Sequence, residues 1–177
     1  MSGGVVWITG LPSSGKSTLA ARAHRALLGE GRASCLLDGD EVRDALVPRP
    51  GYDPRARDDF YETLARLAAL LARQGPIVIV AATAHRRAYR ERARALAPRL
   101  IEVYVDVAPA TCRERDPKGL YHAAGAGEIG ALPGAGADYE APLAPEVVAR
   151  GGEDEAALAA LLERARSWSA SAGAGPW

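Results

Sequence analysis

The chain has 177 residues, with 22 basic and 22 acidic side chains and a formal net charge of zero. That length suits one domain with a sizeable core, and the even balance excludes the bulk electrostatic footprint of a nucleic-acid or anionic-membrane binder. No run approaches the ~20 apolar residues needed to span a bilayer, the N-terminus lacks a signal-peptide pattern, and Cys35 and Cys112 lack metal-ligand spacing, which together predict a cytoplasmic protein with reduced thiols.

In chain order, the apolar run Val5 to Ile8 predicts a buried strand. It leads into Gly10-Leu-Pro-Ser-Ser-Gly-Lys-Ser-Thr18, and the periodic stretch Leu19 to Leu28 predicts a helix. Ala33 to Leu37 reads as a short second strand delivering Asp38-Gly39-Asp40 to its carboxyl end. Glu41 to Leu46 reads as a short helix with Asp40 as N-cap. Pro48, Pro50, Gly51 and Pro54 mark a loop. A long helix follows from Ala56 to Gln74, with Phe60, Leu64, Leu67, Ala68 and Leu71 on one stripe. Ile77 to Val80 is the uninterrupted apolar run of a central parallel strand. Ala88 to Leu96 reads as a helix, Leu100 to Val105 as a strand and Ala110 to Arg115 as a short helix. Residues 116 to 144 are rich in Gly, Ala and Pro without a period, which predicts a lid. Glu146 to Ala149 reads as an edge strand, Glu153 to Trp168 as a terminal helix and Ser169 to Trp177 as a frayed tail. The alternation predicts a single α/β domain over residues 1–177. Its sheet is doubly wound and mostly parallel, has helices on both faces, and binds ligands at the carboxyl ends of its strands.

A strand, a glycine-bounded loop carrying Lys-Ser and then a helix is the Walker A phosphate loop in its required context, the mark of a P-loop NTPase fold. Gly10 and Gly15 let the backbone N–H groups of Ser13, Ser14 and their neighbours curl round phosphate oxygens, up to Thr18 at the helix start. Lys16 would reach the β- and γ-phosphates, and the Ser17 hydroxyl would meet Mg²⁺. Asp38 and Asp40 would emerge beside this loop if the second strand neighbours the first. There they could order Mg²⁺ or accept the proton of an attacking hydroxyl, or they could merely cap the following helix. The sequence holds only two lysines, Lys16 and Lys118, against twenty arginines. A lysine against that bias marks a compact ammonium that arginine cannot replace, which makes Lys118 a candidate beside the loop lysine. His24 reads as a structural mid-helix residue, whereas His85 and His122 fall in site-forming loops with no assigned chemistry.

Asp38-Gly-Asp-Glu-Val-Arg43 resembles the Asp-Gly-Asp-x-x-Arg motif of adenylylsulfate kinases. Cys112-Arg-Glu-Arg-Asp-Pro-Lys-Gly-Leu-Tyr121 looks still more like that family, as do Ala126-Gly-Glu-Ile129 and Asp138-Tyr-Glu-Ala-Pro142. The resemblance runs from about Val5 to Val148. It implies transfer of the ATP γ-phosphate to the 3′-hydroxyl of adenosine 5′-phosphosulfate, with Mg²⁺ and ATP, small-molecule nucleotide partners and a homodimer. By the same resemblance Asp40, helped by Asp38, orients or deprotonates the acceptor. Arg43 and Arg57 hold its phosphosulfate region, Lys118 contacts substrate and Arg115 stands near the nucleotide.

Departures cluster on the acceptor side. Phe60 stands where the family carries Asn, and Ala82-Thr-Ala-His-Arg86 replaces Ile-Ser-Pro-Tyr-Arg, with Thr83 keeping a hydroxyl and Arg86 a charge. Leu132 replaces a lid aromatic, and Gly125 replaces a lid arginine. Two readings follow: an adenylylsulfate kinase with a rewired acceptor wall, or a kinase of the same build for another small nucleotide or metabolite, such as a phosphoramidate derivative of a nucleoside diphosphate. A guanine-dependent switch would need an Asn-Lys-x-Asp reader, which a chain without asparagine cannot supply.

Overall fold

The computed structural model describes residues 3–127, 130 and 132–168. The expected fraying of Ser169 to Trp177, and part of the Ala126 to Ile129 motif, lie outside the described residues. Strands β1 (Gly4–Gly10), β2 (Ser34–Asp38), β3 (Ile77–Ala81), β4 (Leu100–Val105) and β7 (Val147–Ala149) form one parallel sheet in the order β2-β3-β1-β4-β7. Helices α1 (Lys16–Gly29), α2 (Gly39–Ala45), α3 (Pro54–Arg73), α4 (Arg87–Leu96), α5 (Pro109–Arg115), α6 (Leu120–Gly125) and α7 (Glu155–Arg166) connect and cover it. The two-residue strands β5 (Leu132–Pro133) and β6 (Gly136–Ala137) lie apart from it.

Side chains alternate across a strand, so each central strand feeds two cores. Val6 and Ile8 of β1, with Ile79 of β3 and Val103 of β4, pack under α1 and α7 through Leu19, Leu27 and Leu161. Val5 and Trp7, with Val78 and Val80, pack under α3 and α4 through Phe60, Leu64, Ala68 and Tyr89. This double coverage is why Ile77 to Val80 reads as an unbroken apolar run. In α3 the buried stripe is Phe60, Tyr61, Leu64, Ala65 and Ala68, with Leu67 and Leu71 only partly buried at its flank.

Three expectations need correction. First, β2 does not neighbour β1, because β3 lies between them. Asp38 still reaches the phosphate loop because Gly39, the first residue of α2, lies almost on the end of β3; a Cβ there would sit 3.3 Å from the Ala81 carbonyl oxygen. Second, α2 starts earlier than its apolar pattern, at Gly39, so its N-cap is Asp38 rather than Asp40. The Asp38 carboxylate accepts the Asp40 N–H at 3.0 Å. Third, the Gly/Pro-rich stretch holds α6 and the β5–β6 pair. The Asp116 carboxylate accepts the N–H groups of Tyr121 and His122, at 3.1 and 3.0 Å, which organises the first turn of α6 without any apolar period.

Candidate active site

At the carboxyl end of the sheet a cleft of 1310 Å³ runs between the phosphate loop, α2, α3, the loop after β3, the lid and the loop after β7. Pockets for one ligand run to about 1000 Å³, so this cleft has room for two nucleotides side by side.

The phosphate loop forms one wall. Gly15 has φ 104°, and a Cβ there would lie 2.4 Å from the Gly152 nitrogen, so both the conformation and the close approach require glycine. Ser13 is also left-handed, at φ 63°. Gly10 and Ser14 are buried beneath the loop, and a Cβ on Gly10 would meet the Ser14 hydroxyl at 2.9 Å. Ser13, Gly15, Lys16, Ser17 and Thr18 face the cleft. Lys16 folds back over the loop and donates to the Leu11 carbonyl at 2.7 Å. Burial lowers its pKa to about 8, against the opposing pull of Asp40 and Asp38.

Asp38 joins two walls. Its carboxylate accepts the Ser17 hydroxyl at 2.5 Å through one oxygen and caps α2 through the other. Asp38 therefore both caps α2 and faces the phosphate loop, and Asp40, two residues on, is left to meet the lid. There Lys118 donates to the Asp40 carboxylate at 2.5 Å, a bond that raises the Lys118 pKa. The lid in turn rests on the phosphate loop. Tyr121 donates to the Pro12 carbonyl at 3.0 Å, and Leu11, Cys112 and Tyr121 form a small apolar cluster with Leu132 against it.

The opposite wall, where the sequence places the acceptor residues, comes from α2, α3 and the loop after β3. Arg43 is 4% exposed; its guanidinium lies 3.8 Å from the Phe60 ring centroid and 4.5 Å from that of Tyr52, and it donates to the Gly51 carbonyl at 2.7 Å. Burial lowers its pKa. Arg57, Thr83, Leu132 and Arg115 also line the cleft. The loop Ala82 to His85 is tied down at every residue. The Thr9 hydroxyl donates to the Thr83 carbonyl at 2.6 Å, and Ala82 N–H donates to Ile8 at 3.0 Å. Ala84, at φ 40°, donates its N–H to the Tyr61 hydroxyl at 3.1 Å, and its carbonyl accepts from buried Arg90 at 2.5 Å. Glu140, near the end of the lid, donates its N–H to the His85 carbonyl at 2.8 Å. Such over-determination is what holds a non-glycine residue in a left-handed conformation.

Most of the candidate residues named from the sequence meet in this cleft. Arg86 does not: it is the residue just before α4, outside the cleft, half-exposed and 3.3 Å from Asp58. Gly125 and His122 do not line it either. His24 contacts the Ser34 hydroxyl at 3.1 Å, in keeping with its structural reading. Sequence reasoning missed Tyr52, Tyr61 and the whole loop Arg150 to Asp154, all of which line the cleft. The pair Gly151-Gly152 at the carboxyl end of the last strand was the available signal, since ligands gather at that edge.

The adenylylsulphate kinase family model matches residues 2–150. An adenylyl-sulfate kinase of Aeromonas salmonicida is 46% identical over 145 residues, spanning 81% of this chain and 74% of that one. One from Vibrio vulnificus is 40% identical over 164 residues, spanning 90% and 79%. The solved structure of the Mycobacterium tuberculosis APS kinase CysC in complex with AMPPNP and APS superposes with a TM-score of 0.80 at 33% identity, covering 94% of this chain and 95% of that one. With a phosphate loop facing an Asp-Gly-Asp turn and a lid lysine, and with relatives this close over most of its length, the chain belongs to the adenylylsulfate kinase family.

Proposed function

We propose that this protein transfers the γ-phosphate of ATP to the 3′-hydroxyl of adenosine 5′-phosphosulfate, giving 3′-phosphoadenosine 5′-phosphosulfate and ADP. The observation that carries the reading is the Lys118–Asp40 pair, which stands opposite Lys16 and the Ser17–Asp38 contact in one cleft. In the reaction the 3′-oxygen bonds to the γ-phosphorus, the bond from that phosphorus to the β–γ bridging oxygen breaks, and ADP leaves with the bond's electron pair. Asp40 orients the acceptor hydroxyl and receives its proton. Lys16 lies over the transferring phosphoryl group and offsets its charge. Lys118 holds the Asp40 carboxylate until substrate enters, then contacts substrate itself.

The Ser17 hydroxyl and Asp38 carboxylate are hard oxygen donors in contact, and among the described residues no group of three His, Cys, Asp or Glu side chains could hold a metal. That sparse set fits Mg²⁺, which takes one or two protein oxygens and leaves the rest of its shell to water and phosphate. When bound, the ion neutralises charge on the triphosphate. Ser13, Gly15 and Thr18 cradle phosphate with Arg115 beside them. Arg43, Arg57, Phe60, Thr83, Lys118 and Leu132 receive the acceptor, and Arg86 lies too far out for that set.

A homodimer in the cytoplasm and a single domain over residues 1–177 complete the proposal. Val47 at 95% and Leu143 at 81% exposure are the most exposed large apolar side chains among the described residues, and no described helix is long and apolar enough to cross a membrane. A second reading, a different small-nucleotide acceptor, is favoured by one observation: Phe60, Tyr61 and His85 stand together on the acceptor wall. ADP release measured against a panel of nucleotide acceptors separates the two. The first expects adenylyl sulfate to give the highest kcat/KM by a wide margin, and no turnover of it at millimolar concentration by active protein overturns that reading.

A further inference from the structure

His85 is 8% exposed and lines the acceptor end of the cleft. Its ring stands edge-on to Tyr61 at 6.4 Å and to Tyr89 at 5.5 Å, and those two rings stack on each other at 4.5 Å. The Tyr61 and Tyr89 rings bound it on two sides, and Glu140 donates its N–H to the His85 backbone carbonyl. Among the described residues the buried side-chain polar atoms without a partner are Trp7 Nε1 and Ser14 Oγ, not the nitrogens of His85. With no hydrogen bond to either imidazole nitrogen among the described residues, their remaining outlet is the cleft. A fixed imidazole with an open N–H in a substrate cleft is a recognition group.

The charges around it say which part of the acceptor it meets. The charges that act on it are Arg57 and Asp58 of α3, Arg86 just before α4 and Glu140 near the end of the lid, with the Tyr61 and Tyr89 rings against it. Burial first, then Arg57 and Arg86, lower its pKa against the weaker pull of Glu140 and Asp58, which leaves the ring neutral at pH 7. Arg57 is the foremost of these charges, so His85 lies in the field of a cleft-lining cation. The Tyr61 hydroxyl accepts the N–H of strained Ala84, the residue before His85, and so fixes where the imidazole enters the cleft.

We propose that His85 is a further acceptor-binding and specificity-determining residue, donating an imidazole N–H to the anionic phosphosulfate group beside Arg57. The inference rests on the acceptor being adenylyl sulfate. An anion brought against a neutral imidazole favours its protonation, so acceptor binding takes up a proton and tightens as pH falls. Tyr61 is the positioning residue for this contact.

Calorimetric titration of adenylyl sulfate, and separately of ATP, into wild type, His85→Gln and His85→Phe at pH 6 to 8.5 tests it. Wild type is expected to bind adenylyl sulfate more tightly as pH falls from about 8 to 6. His85→Phe, which keeps the ring packing, should weaken acceptor binding about tenfold or more at pH 6. His85→Gln retains an N–H donor and should fall within about threefold of wild type at pH 8 while losing the pH dependence. ATP affinity should be unchanged in both. Acceptor affinities within twofold of wild type, with the same pH profile in both variants, would overturn the assignment. Wild-type protein that binds ATP but no adenylyl sulfate overturns the acceptor reading itself, and this role for His85 with it.

Discussion

Lys118 in the lid and Asp40 in the first turn of α2 meet at 2.5 Å across the mouth of the cleft, although 78 residues separate them. Their side chains are 57% and 60% exposed, so the pair adds under about 1 kcal/mol to stability. On the proposed function its worth is in placing a proton acceptor and a cation where a hydroxyl and a phosphoryl group must approach. Asp40→Asn is therefore expected to lower kcat about 10²- to 10⁴-fold with the melting temperature nearly unchanged. Lys118→Met should lose much of the same activity. The double variant should fall little further than the worse single one, since both act on one approach. Steady-state ADP release from the four proteins measures this; additive losses would separate the two residues' roles.

Lys16 makes the empty enzyme's stability depend on pH. Its pKa falls from 10.5 to about 8 on folding because burial disfavours the ammonium. Between those values the unfolded chain binds more protons than the folded one, so this group's contribution to stability rises with pH. Below pH 8 its cost, on the order of 3 kcal/mol, is present in full. Lys16→Met removes that cost together with the bond to Leu11. Metal-free, nucleotide-free Lys16→Met is thus expected to be about 1–3 kcal/mol more stable than wild type at pH 7, with the gap narrowing towards pH 9.5. Urea unfolding at several pH values checks it. The same variant should have almost no turnover, because the phosphates that would hold the ammonium charged have nothing to pair with.

The loop after β7 packs against the phosphate loop. A Cβ on Gly152 would meet the Thr18 Cβ at 2.6 Å and the Gly15 carbonyl oxygen at 2.7 Å, both rigid parts of the phosphate loop. Gly152→Ala must push α7 away from that loop. The expected result is a KM for ATP raised about tenfold, with the KM for adenylyl sulfate within twofold of wild type. A raised acceptor KM would show instead that the strain spreads to the other wall.

The order of elements, the parallel sheet and the phosphate loop were legible because they rest on local pattern: apolar runs, a glycine-bounded Lys-Ser turn, and a helix period. What failed rests on partners distant in sequence. Nothing in Asp38-Gly-Asp40 says which carboxylate caps α2; the tight seating of Gly39 on the end of β3 decides it. Arg86 and Arg57 look alike as charges past loop ends, yet Asp58 keeps Arg86 on the outer face while Arg57 lines the cleft. Ala84 carries no mark of its left-handed backbone, because the groups that enforce it, Tyr61 and Arg90, come from α3 and α4. The order in the lid was equally hidden, since Asp116 and the contact of Tyr121 with Pro12 stand in for an apolar stripe.

Ser13 is the one non-glycine residue of the phosphate loop in a left-handed conformation, at φ 63°. An L side chain there costs roughly 1–2 kcal/mol, and glycine would relieve it while adding about 0.5–1 kcal/mol of unfolded-chain entropy to overcome. Ser13→Gly should therefore be neutral or up to about 1 kcal/mol more stable, with the KM for ATP no higher than in wild type. A β-branched residue has no such latitude, because its χ1 freedom is already narrow and its second γ-atom crowds the backbone. Ser13→Val is expected to lose 1 kcal/mol or more (about 1–2) and to bind ATP several-fold more weakly, since the N–H groups that cradle phosphate turn with it. Melting temperature and ATP titration on the two variants separate the cases. If valine is tolerated as well as glycine, the loop has left the left-handed conformation and its phosphate-binding geometry must be redrawn.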